Sequence, residues 1–349
     1  MIEIWYAILS FTLLMFVVLE GFDIGAGMVQ YVVGKNEAER RMVIAAIGPL
    51  WSWNEVWLIA FGGTLLLAFP TIMATAFSGF YMALFLLLWT ILLRGISIEL
   101  GGHIADLMWR SAWDCCFVLS NVLLAILIGA VMGNIVRGVP LDANGKFSLS
   151  LFTNFGTTGN VGILDWYTLS AAIFFLVTFA AHGATGLAKR TTASIRTQSL
   201  RLARLLWNVV VAALVIVIVE TWLVRDEFIR QILHHPIGWL GILLVAGGLL
   251  RAVTGVRYGN ESQALVGSSA FITGIIIAGA VGIFPFMLHS TIAKEFSLTV
   301  YRCAADTQGL VIALIWWPIA LCLTLVYASF VYRHYRGRVQ LAEDDLAPY

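Results

Sequence analysis

Apolar residues run through this chain in long, nearly unbroken blocks, and the few polar positions fall mostly between them. A helix that crosses a bilayer needs roughly 20 mostly apolar residues. Nine stretches meet that length, near 5–31, 44–69, 74–94, 113–136, 163–187, 205–224, 237–256, 266–289 and 309–332. Strands of a membrane barrel would instead alternate apolar and polar positions in segments of about ten. The pattern predicts an all-α polytopic membrane protein, with 1–349 forming a single integral membrane domain. The first stretch does not read as a cleavable signal, because no basic segment precedes it. The helices group as two sets of four plus one. A faint echo carries that grouping: Glu20-Gly-Phe-Asp-Ile-Gly-Ala-Gly27 late in the first stretch, and His182-Gly-Ala-Thr-Gly186 late in the fifth. The longest connection, 138–162, contains the turn signal Asp142-Ala-Asn-Gly145 and predicts a small ordered cap.

Charge adds an orientation. With the N-terminus outside, fifteen of the 21 Lys and Arg residues fall on the inner side, among them Arg40, Arg94, Arg190, Arg201, Arg204, Arg251 and Arg336. Cytoplasmic loops carry the excess of Lys and Arg, so the C-terminus is expected inside. Composition excludes other classes. Hydrophobic residues make up 60% and charged residues 12% of the chain, and the net charge is +1. A water-soluble globule could not hide so much apolar surface, and so small a charge offers no field to nucleic acid. Four cysteines without a C-x-x-C spacing imply no zinc or iron–sulfur site.

The chemistry is concentrated in a few polar residues. Glu20 and Asp23 lie in the first stretch, Glu55 in the second, and Glu99 just past the third. A charge at the centre of a bilayer costs at least about 2.5 kcal/mol on the insertion scale. No Lys or Arg lies within the first two stretches to pair with these acids. Glu20 and Asp23, three apart, share one helix face. Arg94 precedes Glu99 by a little over one turn, and Trp51 to Glu55 enter the second stretch near the midplane. The groups thus form a ladder from one surface toward mid-membrane. Desolvated carboxyls exchange protons nearer neutral pH than those in water, and a chain of them reads as a proton relay. The competing reading makes them static hydrogen-bonding ties between helices. Gly21, Gly25, Gly27, Gly62 and Gly63 read as close-packing positions.

Trp51, Trp53 and Trp57 lie inside the second stretch beside Asn54 and Glu55; a quinone contact and core packing both suit them. Of six histidines, only His182 and His289 fall within predicted helices, near opposite ends. They could not face each other across one haem iron, which takes axial protein ligands. The chain is expected to bind no metal or haem by its own ligands.

Four segments together resemble subunit II of cytochrome bd-type quinol oxidases. Gly21-Phe-Asp-Ile-Gly-Ala-Gly-Met28 is similar to the family's G-F-D-x-G-x-G-M signature. Gly48-Pro-Leu-Trp-Ser-Trp-Asn-Glu-Val-Trp57 looks like its G-P-x-W-D-G-N-E-V-W. Phe69-Pro70, Ala76-Phe-Ser-Gly-Phe-Tyr81 and Arg94-Gly95 fit the next region. Val139-Pro-Leu-Asp-Ala-Asn-Gly145, His182-Gly183 and Phe284-Pro285 fit later ones. The resemblance covers essentially the whole chain. It implies a haem-free partner of a haem-bearing subunit I, in a complex of the bacterial or archaeal cytoplasmic (inner) membrane that oxidises quinol and reduces oxygen to water. It implies a cytoplasmic proton path through Glu20, Asp23, Ser52, Asn54, Glu55 and Glu99, with Trp51, Trp57 and Arg94 in support. A structural quinone, lipid and small single-helix subunits are further partners such a complex admits. One departure stands out: Ser52 and Trp53 replace the family's acid and glycine. A hydroxyl can hold a water but carries no net charge. Two other readings stay open at this point: a proton-coupled secondary transporter, which buried carboxylates and a repeat would also suit, and a membrane scaffold.

Overall fold

The computed structural model describes residues 1–104, 106–335 and 337–339; Arg336, counted above for orientation, lies outside them. Thirteen helices follow one another: α1 (Ile2–Val33), α2 (Glu37–Ile47), α3 (Trp51–Ala68), α4 (Pro70–Gly79), α5 (Tyr81–Gly101), α6 (Leu107–Arg137), α7 (Trp166–Arg190), α8 (Ala193–Val224), α9 (Asp226–His234), α10 (Pro236–Arg257), α11 (Glu261–Ile283), α12 (Val300–Cys303) and α13 (Thr307–His334). Two short strands, β1 (Phe286–Leu288) and β2 (Leu298–Thr299), pair antiparallel between α11 and α12. Eight helices are long and apolar enough to cross a membrane, and α2 with α3, bent by 46°, bring the count to nine if the pair is one span.

The differences from the sequence reading have local causes. The predicted second helix, 44–69, is broken because Pro49 has no N–H to donate back along the helix. The predicted third, 74–94, is divided at Phe80 between α4 and α5; α4 starts on Pro70, and Phe69 before it is pushed out of helical geometry (φ −136°, ψ 59°). The eighth ends at Ile283 and not at 289, so His289 sits in a connection and is not helical. Side-chain caps fix several helix starts. Asp165 caps α7 with its side chain on the amides of Tyr167 and Thr168, while Thr168 reaches back. Asn36, Asp106, Asn260 and Asp306 cap α2, α6, α11 and α13 in the same way.

The spans alternate in direction, so the bundle has a starting end, which holds Met1, and a finishing end, which holds Arg338. α1, α3, α5 and α6 pack as one set of four and α7, α8, α10 and α11 as another, while α13 lies against α3 at the margin. The sets meet chiefly through α7, which packs on both α1 and α6. At that seam the two Gly-rich segments cross. A Cβ on Gly25 would lie 1.8 Å from the Phe179 carbonyl oxygen, and one on Gly183 would lie 2.1 Å from the Gly25 carbonyl carbon. The sequence echo therefore marks the contact between the two sets. Gly62 and Gly63 do not share that role: a Cβ on either meets nothing within 4 Å. The 138–165 connection folds as the ordered cap expected. Val139 bridges to Ser290, and Asp142 accepts the amides of Asn144 and Lys146. Arg94, Arg201, Arg204 and Arg251, counted as loop cations, lie within α5, α8 and α10.

Candidate functional site

Acidic and amide side chains from α1 and α3 meet one cation from α5 inside the bundle. Glu20 and Asp23 occupy one face of α1, while Gly21 and Gly25 occupy the face against α7, where a Cβ would strike Phe179. Small residues on one side thus let α7 close in, and the acids are turned toward α3 and α5. Glu20 is 1% and Asp23 0% exposed. Arg94, also 1% exposed, donates from Nη1 to Glu20 Oε1. This corrects the sequence expectation of a set without a basic partner. The cation comes from the third span, which contributes nothing to α1 along the chain.

Asn54 links the second acid to the last helix. Its Nδ2 donates to Asp23 Oδ2 over 2.6 Å, and its Oδ1 accepts from Tyr332 Oη over 2.9 Å. Glu55 is half-buried and within electrostatic reach of Arg94, Glu20 and Asp23. Arg190, at the end of α7, is within reach of Asp23 and Tyr332. Trp57 is buried against Phe11, edge to face at 5.8 Å, and Trp51 lies beside Gly95 on α5. Trp53 packs its ring on Tyr327 of α13 at 4.9 Å. All three tryptophans therefore pack against neighbouring helices.

Two expected members of the ladder stand apart. Ser52 is exposed on α3, turned away from Asn54, and Glu99 is exposed near the end of α5. Neither forms a hydrogen bond to the described residues. Helical phase separates Glu99 from Arg94 on α5 and Ser52 from Asn54 on α3, though Ser52 shares a face with Glu55.

A second buried ion pair shows what a purely structural one looks like. Arg137 Nη1 meets Asp165 and the Gly162 carbonyl (3.1 Å), Nη2 meets Asn134 Oδ1 (2.7 Å), and Nε meets the Gly138 carbonyl (3.1 Å). Every nitrogen is used, and the group ties α6 to the cap of α7. Arg94 differs: its Nε and Nη2 meet no partner among the described residues, and neither do Glu20 Oε2 and Asp23 Oδ1. Buried polar atoms are ordinarily satisfied. A cluster that leaves four of them open can accept or pass on hydrogen bonds, which the Arg137 site cannot.

Several groups escaped the sequence reading. Tyr332 and Arg190 belong to the cluster but lie near the ends of late spans, where a polar residue looks interfacial. Arg137 and Asp165 fall at predicted helix ends, and only the N-cap signal of Asp165 was available. Glu220 sits within α8, with Ser170 Oγ donating to it over 3.0 Å; it was a legible carboxylate inside a predicted span.

The fit to a haem is poor. His182 is 1% exposed and both ring nitrogens are occupied, Nδ1 by Ser268 Oγ (2.7 Å) and Nε2 by the Val18 carbonyl (3.1 Å). His289 lies at the starting end, where burial and then the charge of Arg225 lower its pKa to about 4. No group of three or more His, Cys, Asp or Glu side chains converges on a metal position among the described residues. A largely apolar cavity of about 590 Å³ lies between the two helix sets, walled by Leu13, Phe61, Met132, Phe174, Val217 and Ile276.

Comparison with known proteins agrees with this architecture. The family described as Cytochrome bd terminal oxidase subunit II matches residues 1–335. A probable cytochrome oxidase subunit 2 from Haemophilus influenzae is 28% identical, over 96% of this chain and 94% of its own. The cytochrome bd-I ubiquinol oxidase subunit 2 of Escherichia coli K12 is 29% identical over the same shares. The cytochrome bd ubiquinol oxidase subunit 2 of Bacillus subtilis is 26% identical, over 99% of this chain and 98% of its own. A chain of the bd oxidase structure from Geobacillus thermodenitrificans superposes with a TM-score of 0.73 at 15% identity. It covers 96% of this chain and 98% of that one, and so shares the fold. Neither the transporter nor the free-standing scaffold is favoured by these matches. One family model spans residues 1–335 of a helical bundle with at least eight candidate membrane spans, and the chain belongs to that family, subunit II of cytochrome bd terminal oxidases, multi-pass membrane subunits of a quinol oxidase complex.

Proposed function

We propose that this chain stabilises a haem-bearing subunit I and delivers protons to it from the cytoplasm. The observation that carries the reading is the cluster of Glu20, Asp23, Asn54 and Arg94, two carboxyls joined to an amide and a cation and all buried inside the bundle. In this reading the finishing end faces the cytoplasm of a bacterial inner membrane, and protons reach Asp23 and Glu20 from there. Glu55, half-buried at the margin, hands them toward the partner. Glu99 and Ser52, being exposed in the single chain, belong to the path only if subunit I covers them. The haems belong to that partner in this reading, which the family match supports.

The apolar cavity supports a structural quinone or a lipid chain. Its wall is hydrocarbon, with the hydroxyls of Tyr6, Tyr167 and Thr221 at its edge. An isoprenoid tail would be held there by burial of apolar surface, and those hydroxyls are the groups that could meet a head-group oxygen. Small single-helix subunits would pack on the exposed apolar flanks of such a complex.

Purification of the complex tests the assignment. Co-elution with a membrane subunit that gives haem absorption bands is expected, whereas a stable, colourless, lone chain would contradict it. Glu20→Gln tests the proton path. Slowed quinol-driven oxygen uptake with unaltered haem bands is expected, and wild-type turnover at every pH would contradict it.

A further inference from the structure

We infer that Tyr332, on the last helix, is a positioning residue for Asp23, acting through the amide of Asn54. The inference rests on the proton-uptake reading and names a regulator of its central carboxyl. Asn54 has two faces, an oxygen and an NH2, and they make opposite demands on a neighbour. An NH2 turned to Asp23 favours the ionised carboxylate, which only accepts hydrogen bonds. An oxygen turned to Asp23 would favour the protonated acid, which donates one. The Tyr332 hydroxyl supports one of them: it donates to Asn54 Oδ1 over 2.9 Å, and the NH2 faces Asp23 at 2.6 Å. Asn54 is 1% exposed and has one further contact, a long 3.5 Å approach of Nδ2 to the Leu19 carbonyl. That carbonyl, an acceptor only, favours the same sense, and Tyr332 is the one donor to Asn54 Oδ1 among the described residues.

The arrangement makes α13 more than a peripheral span. Leu310 and Val331 are its only buried residues among those described, so little packing fixes it. Its last turn is tied down instead by polar contacts. Tyr332 reaches α3, and Arg190 Nη2 donates to the Tyr335 carbonyl over 3.0 Å. The groups facing Asp23 are Glu20 on its own helix, Asn54 and Glu55 on α3, Arg94 on α5, Arg190 on α7 and Tyr332 on α13. Of these, only Tyr332 acts by orienting another side chain.

The test is oxygen uptake by the intact oxidase complex as a function of pH, with Tyr332→Phe, Asp23→Asn and Tyr327→Phe compared. Tyr332→Phe keeps the ring and removes the hydroxyl. It is expected to slow uptake about five-fold, the size of one lost hydrogen bond, and to displace the pH profile, with haem bands and yield unchanged. Tyr327→Phe, on the same helix, controls for docking of α13 and should leave the profile in place. If Tyr332→Phe fails to assemble, 3-fluorotyrosine at position 332 retains the ring and strengthens the donor, and it should move the profile the opposite way. A wild-type profile for Tyr332→Phe or for the fluorinated residue, with Asp23→Asn impaired, overturns the inference and leaves the proton path standing. A wild-type profile for Asp23→Asn overturns both.

Discussion

Arg94 on α5 and Glu20 on α1 form an ion pair with both side chains 1% exposed, although 74 residues separate them along the chain. The pair joins the first and third spans inside the bundle and supplies the counter-charge for a cluster that otherwise holds three acids. Removing one partner of a buried pair leaves an uncompensated charge, at a cost of about 3–5 kcal/mol. Arg94→Met should therefore lower the melting temperature and yield of the complex sharply. The double change Arg94→Met with Glu20→Met should recover much of the loss. Equal destabilisation by the single and double variants, measured by thermal melting, would refute the coupling.

The contact between the two helix sets gives a second expectation. A methyl group on Gly183 would overlap the backbone of Gly25 and Ala26, at 2.1 and 2.2 Å. Backbone cannot step aside as a side chain can, and overpacking a tight contact costs about 1–3 kcal/mol or more. Gly183→Ala should depress folding yield, while Gly62→Ala, with open space around it, should be close to neutral in melting of the same preparation.

The cap end predicts a pH dependence. His289 lies outside the membrane spans with its pKa lowered to about 4 by burial and the nearby Arg225, against an ordinary value of 6.5. Between those values the unfolded chain takes up a proton that the folded one refuses. Stability is therefore unaffected above about 6.5 and falls as pH drops from there toward 4. Melting curves over that window should slope less steeply for His289→Gln than for the wild type. Parallel slopes would exclude His289 as the source.

Ser52 offers a sharper discrimination. It stands where the resembling family carries an acid, but its side chain is exposed and turned from Asn54. Ser52→Ala is expected to leave oxygen uptake within about two-fold of wild type, since the hydroxyl makes no hydrogen bond among the described residues whose loss would be felt. A ten-fold loss would show that the partner subunit recruits this face into the path.

How far the sequence carried can be judged at particular residues. The nine spans were legible because lipid requires long apolar runs, and the motif around Asp23 marked the site. The break at Pro49 and the pairing of Glu20 with Arg94 were not. The first depends on where one missing N–H falls within an otherwise apolar run. The second depends on the rotation of α5 against α1, which no local pattern encodes. Helical phase also separated Ser52 and Glu99 from neighbours only a few residues away. Tyr332 was hidden for a different reason: a tyrosine near the end of a span ordinarily marks the membrane interface, and only the crossing of α13 over α3 turns it inward.

If Asp23 takes part in proton delivery, quinol-driven oxygen uptake by the assembled oxidase carrying Asp23→Asn will show it. The account predicts at least a ten-fold slower rate from about pH 6 to 8, in line with loss of a proton-transferring group, with the haem spectrum and subunit stoichiometry intact. Wild-type turnover with an unchanged pH profile would contradict it.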